Sequence, residues 1–589
     1  MILKILNNLK TLVLILFSLH LLTSSALADN STDTCYSVQL ASVYNKNSIY
    51  LKLENYPSSC KLISLANLKA VRCGCYDDKK EAHVALRASR KRYHGSILVR
   101  TYKSRFIEKL DIASEENKRL GLEDKKEDRG SEDESIQDST TQDIISLLPV
   151  NLWIQDLTKE GEFSVQGHVN VIAQGYPQRP VGKHKANLTL SGELELKYSE
   201  DDTSIVSKIY AQGDSHDVKG SSQHNERTFL RLDELYIQHD FEDDQIMFGQ
   251  SVRFWGALEV NNLTDVFNPT DYRTDLFDSS KLGVLNLAYT HYTDTGELSL
   301  IVKLSEPDRD MAAQPYLYYF FPVAVQPGDL PGSPIPTPVS LGYTDKLNKE
   351  TGSRPSFFMK YSGSTDTEYA WDYSIIYENG YDSQRYYTYT LSDNNTSASI
   401  QENAYLVNKV MSYNTIVVGS TLVKIEAVYT DIIKTDPLPT VKTATGTVRT
   451  KKLSDYLHIG LGLEHTLTQV YNEADLGLIA EYYRYEALQS GDDYFTDLEL
   501  FEIYQNDLFI GGRYSFNEGN DASILTGLLY DLDYDEQVYS FEYETRLAEL
   551  FKLKFSYYYI RPTSDANTVT AYSLMGTHQR LSLNLGYYF

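Results

Sequence analysis

Residues that could carry out catalysis are few in this chain. It contains 12 His, yet it has neither a G-x-S-x-G nucleophile motif nor an H-E-x-x-H zinc motif. It also lacks a Gly-rich phosphate-binding loop. We therefore expect no catalytic residue, no metal site, no cofactor and no enzyme activity.

One segment does concentrate charged side chains of both signs. RFWGALEVNNLTDVFNPTDYRTDLFD (253–278) is rich in Asn, Asp and Pro, so it cannot continue as a strand. If the segment folds into a pore, opposed charges across the constriction would set ion preference. The candidate constriction residues are Arg253, Glu259, Asp265, Asp271 and Arg273. The equally weighted alternative is an Asx-turn-rich loop that only holds strand ends together.

All four cysteines lie early in the chain, at Cys35, Cys60, Cys73 and Cys75. An even count in an exported segment indicates two disulfides, with three possible connectivities. Cys73 and Cys75 are two residues apart on what looks like one strand face, so we expect each to pair elsewhere. The spacing matches no zinc site.

The elements that must position these residues are strands. In the C-terminal LSLNLGYYF, apolar residues fall on every second position, which is typical of a strand. ANLTLSGELELKY places Leu188, Leu190, Gly192, Leu194 and Leu196 on one face, and acidic or hydroxyl residues on the other. Leucines outside and charges inside are the pattern of a lipid-facing barrel with a wet lumen.

From residue 146 the chain repeats such strands 16 to 19 times, so we expect a closed antiparallel transmembrane β-barrel of about 16–18 strands. Its first strand would lie near 162–174 and pair with the last. The 47 Tyr against 21 Phe suit aromatic girdles. Short signals such as EDD, SEDD and NEGN predict tight turns at one end, and the Pro-rich 312–340 predicts a long loop seated on the barrel rim. An apolar-substrate site in its YLYYFF is the weaker alternative, and whether loops 253–280 and 305–353 plug the lumen stays open.

The N-terminus has the features of a secretory signal peptide. Lys4 and Lys10 precede or interrupt an apolar stretch, and Ala26-Leu27-Ala28 is a small-residue cleavage pattern. No later run approaches the ~18 apolar residues of a spanning helix. We expect the outer membrane of a Gram-negative cell, where the terminal Phe589 resembles the signal read by the barrel insertion machinery.

Charge divides the chain after the signal peptide (1–28) into three regions. Residues 29–106 carry a net charge of +8, residues 107–145 carry −7, and residues 146–589 carry −29. The middle region has almost no aromatic or β-branched residues and is expected to be a flexible charged linker. The acidic body excludes nucleic acid as a partner. It indicates cation preference, or contact with lipopolysaccharide bridged by Mg²⁺ or Ca²⁺.

The basic head (29–106) shows the order β-α-β-β-α-β of a small split βαβ domain. Its second helix would place Ala82, Ala85, Leu86 and Ser89 on an inward stripe. YSVQLAS and, some thirty residues later, AVRCGCY resemble the two halves of a SPOR domain, usually Y-x-V-Q-L-G-S-F and Y-R-V-R-V-G-P-F. The sequence departs from that pattern at Ala41, Val43, Ala70 and Cys75.

The SPOR resemblance implies a four-stranded sheet, backed by two helices, that binds peptidoglycan glycan strands on its exposed face. The positions that match the family's contacts are Gln39, Ser42, Arg72 and Tyr76. Amide, hydroxyl and guanidinium groups beside a ring would suit a neutral glycan. The alternative is a basic periplasmic module that binds protein or nothing.

Together these patterns predict a peptidoglycan-associated outer-membrane porin-like channel for passive diffusion of small solutes, with a preference for cations. The W-G…N-P-x-D pattern within 253–278 resembles a segment of several porin-like barrels. The main alternative is a structural tether between membrane and cell wall with a closed barrel. A substrate-specific channel that uses the aromatic loop is a weaker one.

Overall fold

The computed structural model describes two parts of the chain. The first comprises residues 34–44, 56–57, 60–64, 68–76, 97–102 and single positions between 82 and 89; the second comprises residues 162–589 with gaps, the longest being 218–226, 309–323 and 326–337. The predicted signal peptide, first head helix and linker lie outside the described residues, as does most of the Pro-rich loop. The chain divides into two compact units, Met1–Asp133 and Glu134–Phe589.

The first unit contains one antiparallel sheet, with strand order β2-β3-β1-β4. Its strands are β1 (Thr34–Tyr44), β2 (Cys60–Ser64), β3 (Leu68–Tyr76) and β4 (Ile97–Tyr102). These are the four strands that the sequence predicts. Val38 and Leu40 of β1 alternate toward a small apolar core, which also takes in Leu86 from the predicted helix. Ala82 in the same helical stripe is fully buried.

Two disulfides join the head strands. Cys35 is bonded to Cys75, and Cys60 is bonded to Cys73, with sequence separations of 40 and 13 residues. Both bonds therefore tie β3 to another strand. Such cross-links stabilise a domain whose core is small, because they restrict the unfolded chain.

The second unit is built from strands throughout. In chain order they are β5 (Glu162–Gly175), β6 (Ala186–Glu200), β7 (Thr203–Asp214), β8 (Phe229–Asp240), β9 (Asp244–Ser251), β10 (Thr270–Asp271), β11 (Ser280–Lys281), β12 (Val284–Tyr292), β13 (Gly296–Lys303), β14 (Ala324–Val325), β15 (Val339–Tyr343), β16 (Ser356–Asp366), β17 (Ala370–Tyr381), β18 (Tyr386–Leu391), β19 (Ser397–Asn403), β20 (Leu406–Val418), β21 (Thr421–Lys434), β22 (Thr440–Lys442), β23 (Val448–Thr450), β24 (Lys452–Leu453), β25 (Tyr456–Tyr471), β26 (Ala474–Ala487), β27 (Tyr494–Phe495), β28 (Asn506–Ser515), β29 (Ser523–Asp531), β30 (Gln537–Ala548), β31 (Phe551–Arg561) and β32 (His578–Tyr588). A short helix (Ala571–Met575) precedes the last strand.

Eighteen of these strands form a closed antiparallel barrel in the order β5-β6-β7-β8-β9-β12-β13-β16-β17-β20-β21-β25-β26-β28-β29-β30-β31-β32. The last strand pairs with the first, from Leu581 opposite Gly175 to Tyr588 opposite His168. The predicted barrel of 16–18 strands is confirmed, with 18. The prediction that 162–174 holds the first strand is confirmed as well. Closure leaves the barrel with no free strand edge.

The two faces of the barrel wall differ as the alternation requires. In β6, Leu188 and Leu190 are 52% and 56% exposed, whereas Thr189 and Ser191 between them are 0% and 3% exposed. Exposed apolar side chains continue around the outer surface on nearly every barrel strand, for example at Leu230, Leu285, Ile375, Ile510 and Leu583. The outer surface is therefore an apolar band, and polar residues face inward.

The connections between barrel strands separate into two classes. Those that lie at the same end as the start of β5 and the end of β32 contain two to seven residues, as at 201–202 and 516–522. Connections at the other end reach 32 residues at 252–283 and 52 residues at 304–355. We call these the short-turn end and the loop end. In the described part of the chain, no helix is long and apolar enough to cross a membrane.

Candidate functional site

The segment between β9 and β12, residues 252–283, folds into the barrel interior at the positions that the structure describes (252–275 and 279–283), and we call it the lumen loop. Its Trp255, Leu258, Leu263 and Phe267 are 0–7% exposed. They pack on inward-facing side chains of the barrel wall, namely Met247, Val284, Ala288, Ile301, Phe358, Ile376, Met411, Val428 and Tyr483. Burial of each such side chain stabilises the arrangement by roughly 1.5–3 kcal/mol. The loop is therefore held against the half of the barrel from β9 to β26.

Two buried carboxylates on the far wall anchor the backbone of the lumen loop. Glu426 of β21 accepts hydrogen bonds at Oε1 from the N–H groups of Ala257 (2.5 Å) and Leu258 (3.1 Å), and at Oε2 from that of Thr264 (3.2 Å). Glu426 is 0% exposed. Hydrogen bonds from backbone N–H groups to an ionised carboxylate are among the stronger ones in proteins.

Glu481 of β26 is the second anchor. Its Oε1 accepts from the N–H of Glu259 (2.7 Å), and its Oε2 accepts from the N–H of Val260 (3.0 Å) and from the hydroxyl of Tyr483 (2.7 Å). The Tyr483 hydroxyl in turn accepts from the N–H of Asn261 at 3.0 Å. Consecutive peptide groups of the loop are thus satisfied by the wall, as buried backbone donors require.

Glycines on both sides of this contact make room for it. Gly460 and Gly462 of β25 face inward, where an added Cβ would meet the two terminal methyl carbons of Leu258 at 2.4 and 2.9 Å. Within the loop, Gly256 has a φ of +154°, and a Cβ there would meet the Asn262 side chain at 2.2 Å. Side chains at these positions would displace the loop tip.

Beside the anchors lies a partly exposed charge cluster. Glu259 of the lumen loop contacts Arg513 of β28, and Lys424 of β21 lies 4.0 Å from it. Lys424 also pairs with Glu464 of β25 at 3.2 Å, and Arg513 lies 3.7 Å from the same Glu464. Glu259 and Arg513 are 21% and 17% exposed, so this cluster carries charges of both signs with access to solvent.

The base of the lumen loop makes a second set of ion pairs, with strands that lie beyond β9 in the other direction around the barrel. Asp271 is fully buried and contacts Arg231 of β8 and Arg273 of the loop itself. Farther along, Asp275 pairs with Arg580 of β32 at 2.5 Å. Together with the anchors, these pairs fasten the loop to strands on both sides of the barrel.

The remaining two predicted constriction residues lie nearer the loop's origin. Arg253 donates to the Asn286 side chain at 3.2 Å and stacks over Phe267, and burial lowers its pKa to about 10. Asp265 pairs with Lys281 at 3.2 Å; burial raises its pKa, and the Lys281 ammonium opposes that rise. Both groups serve to fix the loop to its own stem.

The structure thus distributes the five predicted residues over three places. Glu259 belongs to the partly exposed charge cluster. Asp271 and Arg273 belong to the ion pairs at the base of the loop, and Arg253 and Asp265 contact the stem of the loop. All five lie in the lumen loop, but they do not face one another across a gap. Sequence reasoning missed the wall residues that complete the site, which are Lys424, Glu426, Glu464, Glu481 and Arg513. The one feature of the sequence that could have identified these wall residues is that each is a charged residue on the inward face of an alternating strand.

Between the lumen loop and the short-turn end, the wall carries further ion pairs of mixed sign. Lys208 lies between Glu193, Glu195 and Glu234, the nearest contact being 3.2 Å to Glu195. On the neighbouring part of the wall, Lys552 pairs with Glu544 (2.6 Å) and Lys554 with Glu542 (3.3 Å). These groups are 14–27% exposed. The inward surface therefore offers both charges to a solute.

The candidate glycan-binding residues of the head are arranged as a cross-strand pair. Gln39 and Arg72 face each other across β1 and β3, and Arg72 Nε donates to Gln39 Oε1 at 2.9 Å. Both are 7% exposed. Ser42 lies farther along β1 opposite Ala70, and Tyr76 at the end of β3 is partly buried beside the head core. Gln39 and Arg72 therefore bond to each other, and their side chains are largely buried.

Comparisons with known proteins bear on the barrel. No protein-family model matches the chain, and no curated protein matches its sequence. Solved structures that resemble it include OccK8 (OprE) of Pseudomonas aeruginosa, with 9% identity, a TM-score of 0.40 and coverage of 73% of this chain and 98% of that one. OccK11 (OpdR) of the same organism has 10% identity, a TM-score of 0.39 and coverage of 73% and 96%. The outer membrane channel DcaP of Acinetobacter baumannii has 12% identity, a TM-score of 0.35 and coverage of 73% and 98%. At these values the likeness carries no argument about function.

Proposed function

We propose that the chain is a porin-like channel of the Gram-negative outer membrane through which small solutes diffuse passively. The observation that carries this proposal is the closed 18-stranded barrel with an apolar outer band, a charged interior and a loop folded into that interior. An apolar exterior of this extent needs lipid as its solvent, since soluble proteins rarely expose such surface. A polar interior serves the passage of hydrated solutes.

The short-turn end would face the periplasm and the loop end would face the exterior. This assignment follows the rule that barrels of this class have short periplasmic turns and long outer loops. It places the start of β5 on the periplasmic side, where a preceding head domain would reach the cell wall. Lipid and lipopolysaccharide would surround the barrel, and Phe589 would be read by the barrel insertion machinery.

The lumen loop would act as the size filter. It is bound to the wall at β8, β21, β26, β28 and β32, so any passage must run beside it. The partly exposed Glu259 and Arg513 would contact passing solutes, and the buried Lys424 beside them would add to the local charge. Charged groups at this place would influence which charged solutes pass.

We further propose a modest cation preference, supported by the net charge of −29 on residues 146–589. The paired charges on the inward wall temper this effect, because each Lys or Arg there neutralises a carboxylate. The test is single-channel conductance of the full-length protein in planar bilayers with a salt gradient. Steady openings with a reversal potential of the sign expected for a cation-selective channel support the proposal. A reversal potential of the sign expected for an anion-selective channel would refute the cation preference.

The head would bind peptidoglycan glycan strands, as its resemblance to SPOR domains implies. The matching test is co-sedimentation of the full-length protein with purified sacculi, alongside a chain that lacks residues 35–102. Retention of both proteins to the same extent would count against the head as the wall-binding part. Because Gln39 and Arg72 are largely buried, Ser42 and Tyr76 are the first positions to substitute in this test.

The second candidate function is a structural tether with a closed barrel. It is favoured by the number of wall strands to which the lumen loop is fastened, since a fully plugged lumen would serve only as an anchor. No conductance in bilayers, together with retention on sacculi, would support the tether. Conductance that disappears when the barrel is blocked by a large polymer would support the channel.

A further inference from the structure

Two buried carboxylates lie opposite each other at the loop end of the barrel. Asp507 at the start of β28 and Asp531 at the end of β29 are directly opposite each other in the strand register. They are 0% and 2% exposed. Buried carboxylates side by side repel one another and lose their hydration, so such a pair needs a neutralising partner.

The oxygen atoms at this place are incompletely used. Asp507 Oδ2 accepts from the N–H of Asn506 at 3.2 Å, but Asp507 Oδ1 is buried without a hydrogen-bond partner. Gln505, which is 2% exposed, donates from Nε2 to Asp531 Oδ2 at 3.1 Å, and its own Oε1 is buried without a partner. Two unpartnered acceptor oxygens therefore accompany the carboxylate pair.

The charges that surround the pair are acidic as well. Among the described residues, the charged groups with the largest effect on Asp507 are Asp531, Glu502 and Glu536. This differs from the buried Asp382 elsewhere at the loop end, which has Lys409 at 2.7 Å. Among the residues that the structure describes, no Lys or Arg pairs with Asp507, and its unpartnered oxygen indicates a positively charged ligand.

We propose that Asp507, Asp531 and the amide oxygen of Gln505 bind a divalent cation with the chemistry of Ca²⁺, with water completing the coordination. Ca²⁺ takes carboxylate and amide oxygens in irregular arrangements of six to eight ligands, whereas Mg²⁺ demands a near-ideal octahedron. In the part of the chain that the structure describes, no group of three or more His, Cys, Asp or Glu residues is arranged for a metal. The site has two carboxylates and one amide, so its affinity should be weak, with a dissociation constant on the order of 0.1–1 mM.

The cation would brace the loop end of the barrel. It would hold the start of β28 against the end of β29, where Asp531 Oδ1 already accepts from the N–H groups of Asp533 (2.8 Å) and Tyr534 (2.9 Å). Glu536, five residues on, accepts from the hydroxyl of Thr570 at 2.6 Å and so connects the same turn to the segment before β32. Removal of the cation would loosen the connections around β28 to β32.

The test uses Tb³⁺ as a luminescent substitute for Ca²⁺ on the full-length protein in detergent, after removal of divalent cations with a chelator. Tyr504 and Tyr572 lie close enough to act electrostatically with Asp507, so they can sensitise a bound lanthanide. We expect Tb³⁺ emission that Ca²⁺ displaces, at least tenfold weaker Ca²⁺ affinity in Asp507→Asn, and an unchanged affinity in Asp243→Asn. Asp243 lies in the exposed turn between β8 and β9 at the short-turn end.

A second variant keeps the test informative if Asp507→Asn does not fold. Gln505→Glu adds a third carboxylate and should raise the Ca²⁺ affinity at least tenfold, because affinity rises with ligand charge. Equal Ca²⁺ affinity in the unsubstituted protein, Asp507→Asn and Gln505→Glu would overturn the proposal. So would a melting temperature that is indifferent to Ca²⁺ and rises on acidification, since a proton shared by the two carboxylates would then be the neutralising partner.

Discussion

Substitution of Glu426 by Gln isolates the role of the lumen loop's anchor. The substitution keeps the size of the side chain, but it replaces one acceptor oxygen by an amide that faces N–H donors. One or two of the N–H groups of Ala257, Leu258 and Thr264 would then lose their acceptor. Each unsatisfied buried donor costs about 1–3 kcal/mol, so the binding of the loop to the wall would weaken by roughly 1–6 kcal/mol.

That loss is smaller than the contribution of the loop's apolar residues. Four buried side chains at roughly 1.5–3 kcal/mol each give about 6–12 kcal/mol, an upper limit for the apolar contribution. We therefore expect the loop of Glu426→Gln to remain bound to the barrel wall most of the time and to detach from it often and briefly. Gln at both Glu426 and Glu481 removes about twice as much and should unseat the loop for a substantial part of the time.

The assay is single-channel recording in planar bilayers. Glu426→Gln should show more open-channel noise with short steps of higher conductance, and the double variant should show a higher mean conductance. Glu544→Gln is the matched control, because it removes a carboxylate from the inward wall where Glu544 pairs with Lys552. If the noise and conductance of the Glu426 variants equal those of the control, the reasoning about the anchor is wrong.

Further expectations concern packing, buried charge and the head. Gly460→Leu should raise mean conductance by displacing the tip of the lumen loop at Leu258, whereas Gly213→Ala, which has open space around it, should not. Lys409→Met should lower the free energy of unfolding in guanidinium by about 3–5 kcal/mol, because it leaves Asp382 buried and unpaired; an unchanged unfolding midpoint would contradict this. Reduction of the two head disulfides should make the head, and not the barrel, sensitive to protease, since such bonds typically contribute about 2–4 kcal/mol each.

The barrel was predictable because its signal is local and repeated. Alternation in LSLNLGYYF and in β6 assigns an inward and an outward face from neighbouring residues alone. The structure agrees, with Leu188 and Leu190 outside and Thr189 and Ser191 inside. The short turns were predictable for the same reason, since EDD, SEDD and NEGN fall at the ends of alternating segments.

The lumen loop's position was not predictable, because its partners are distant in sequence. Ala257 and Glu426 are 169 residues apart, and Glu259 and Glu481 are 222 apart. In the sequence, Glu426 looks like any other inward residue of a wet barrel. Gly460 in HIGLGL likewise looks like an ordinary strand glycine until Leu258 is placed against it.

The same separations have a kinetic consequence. Contacts between residues this far apart in sequence are slow to form, since the intervening chain must first be brought together. Hairpins such as β6–β7 close over a two-residue turn and need no such search. We therefore expect the strands to assemble first and the lumen loop to bind to the barrel wall last. Protein refolded rapidly should contain closed barrels with the loop still unseated, visible as a high-conductance population that declines with time.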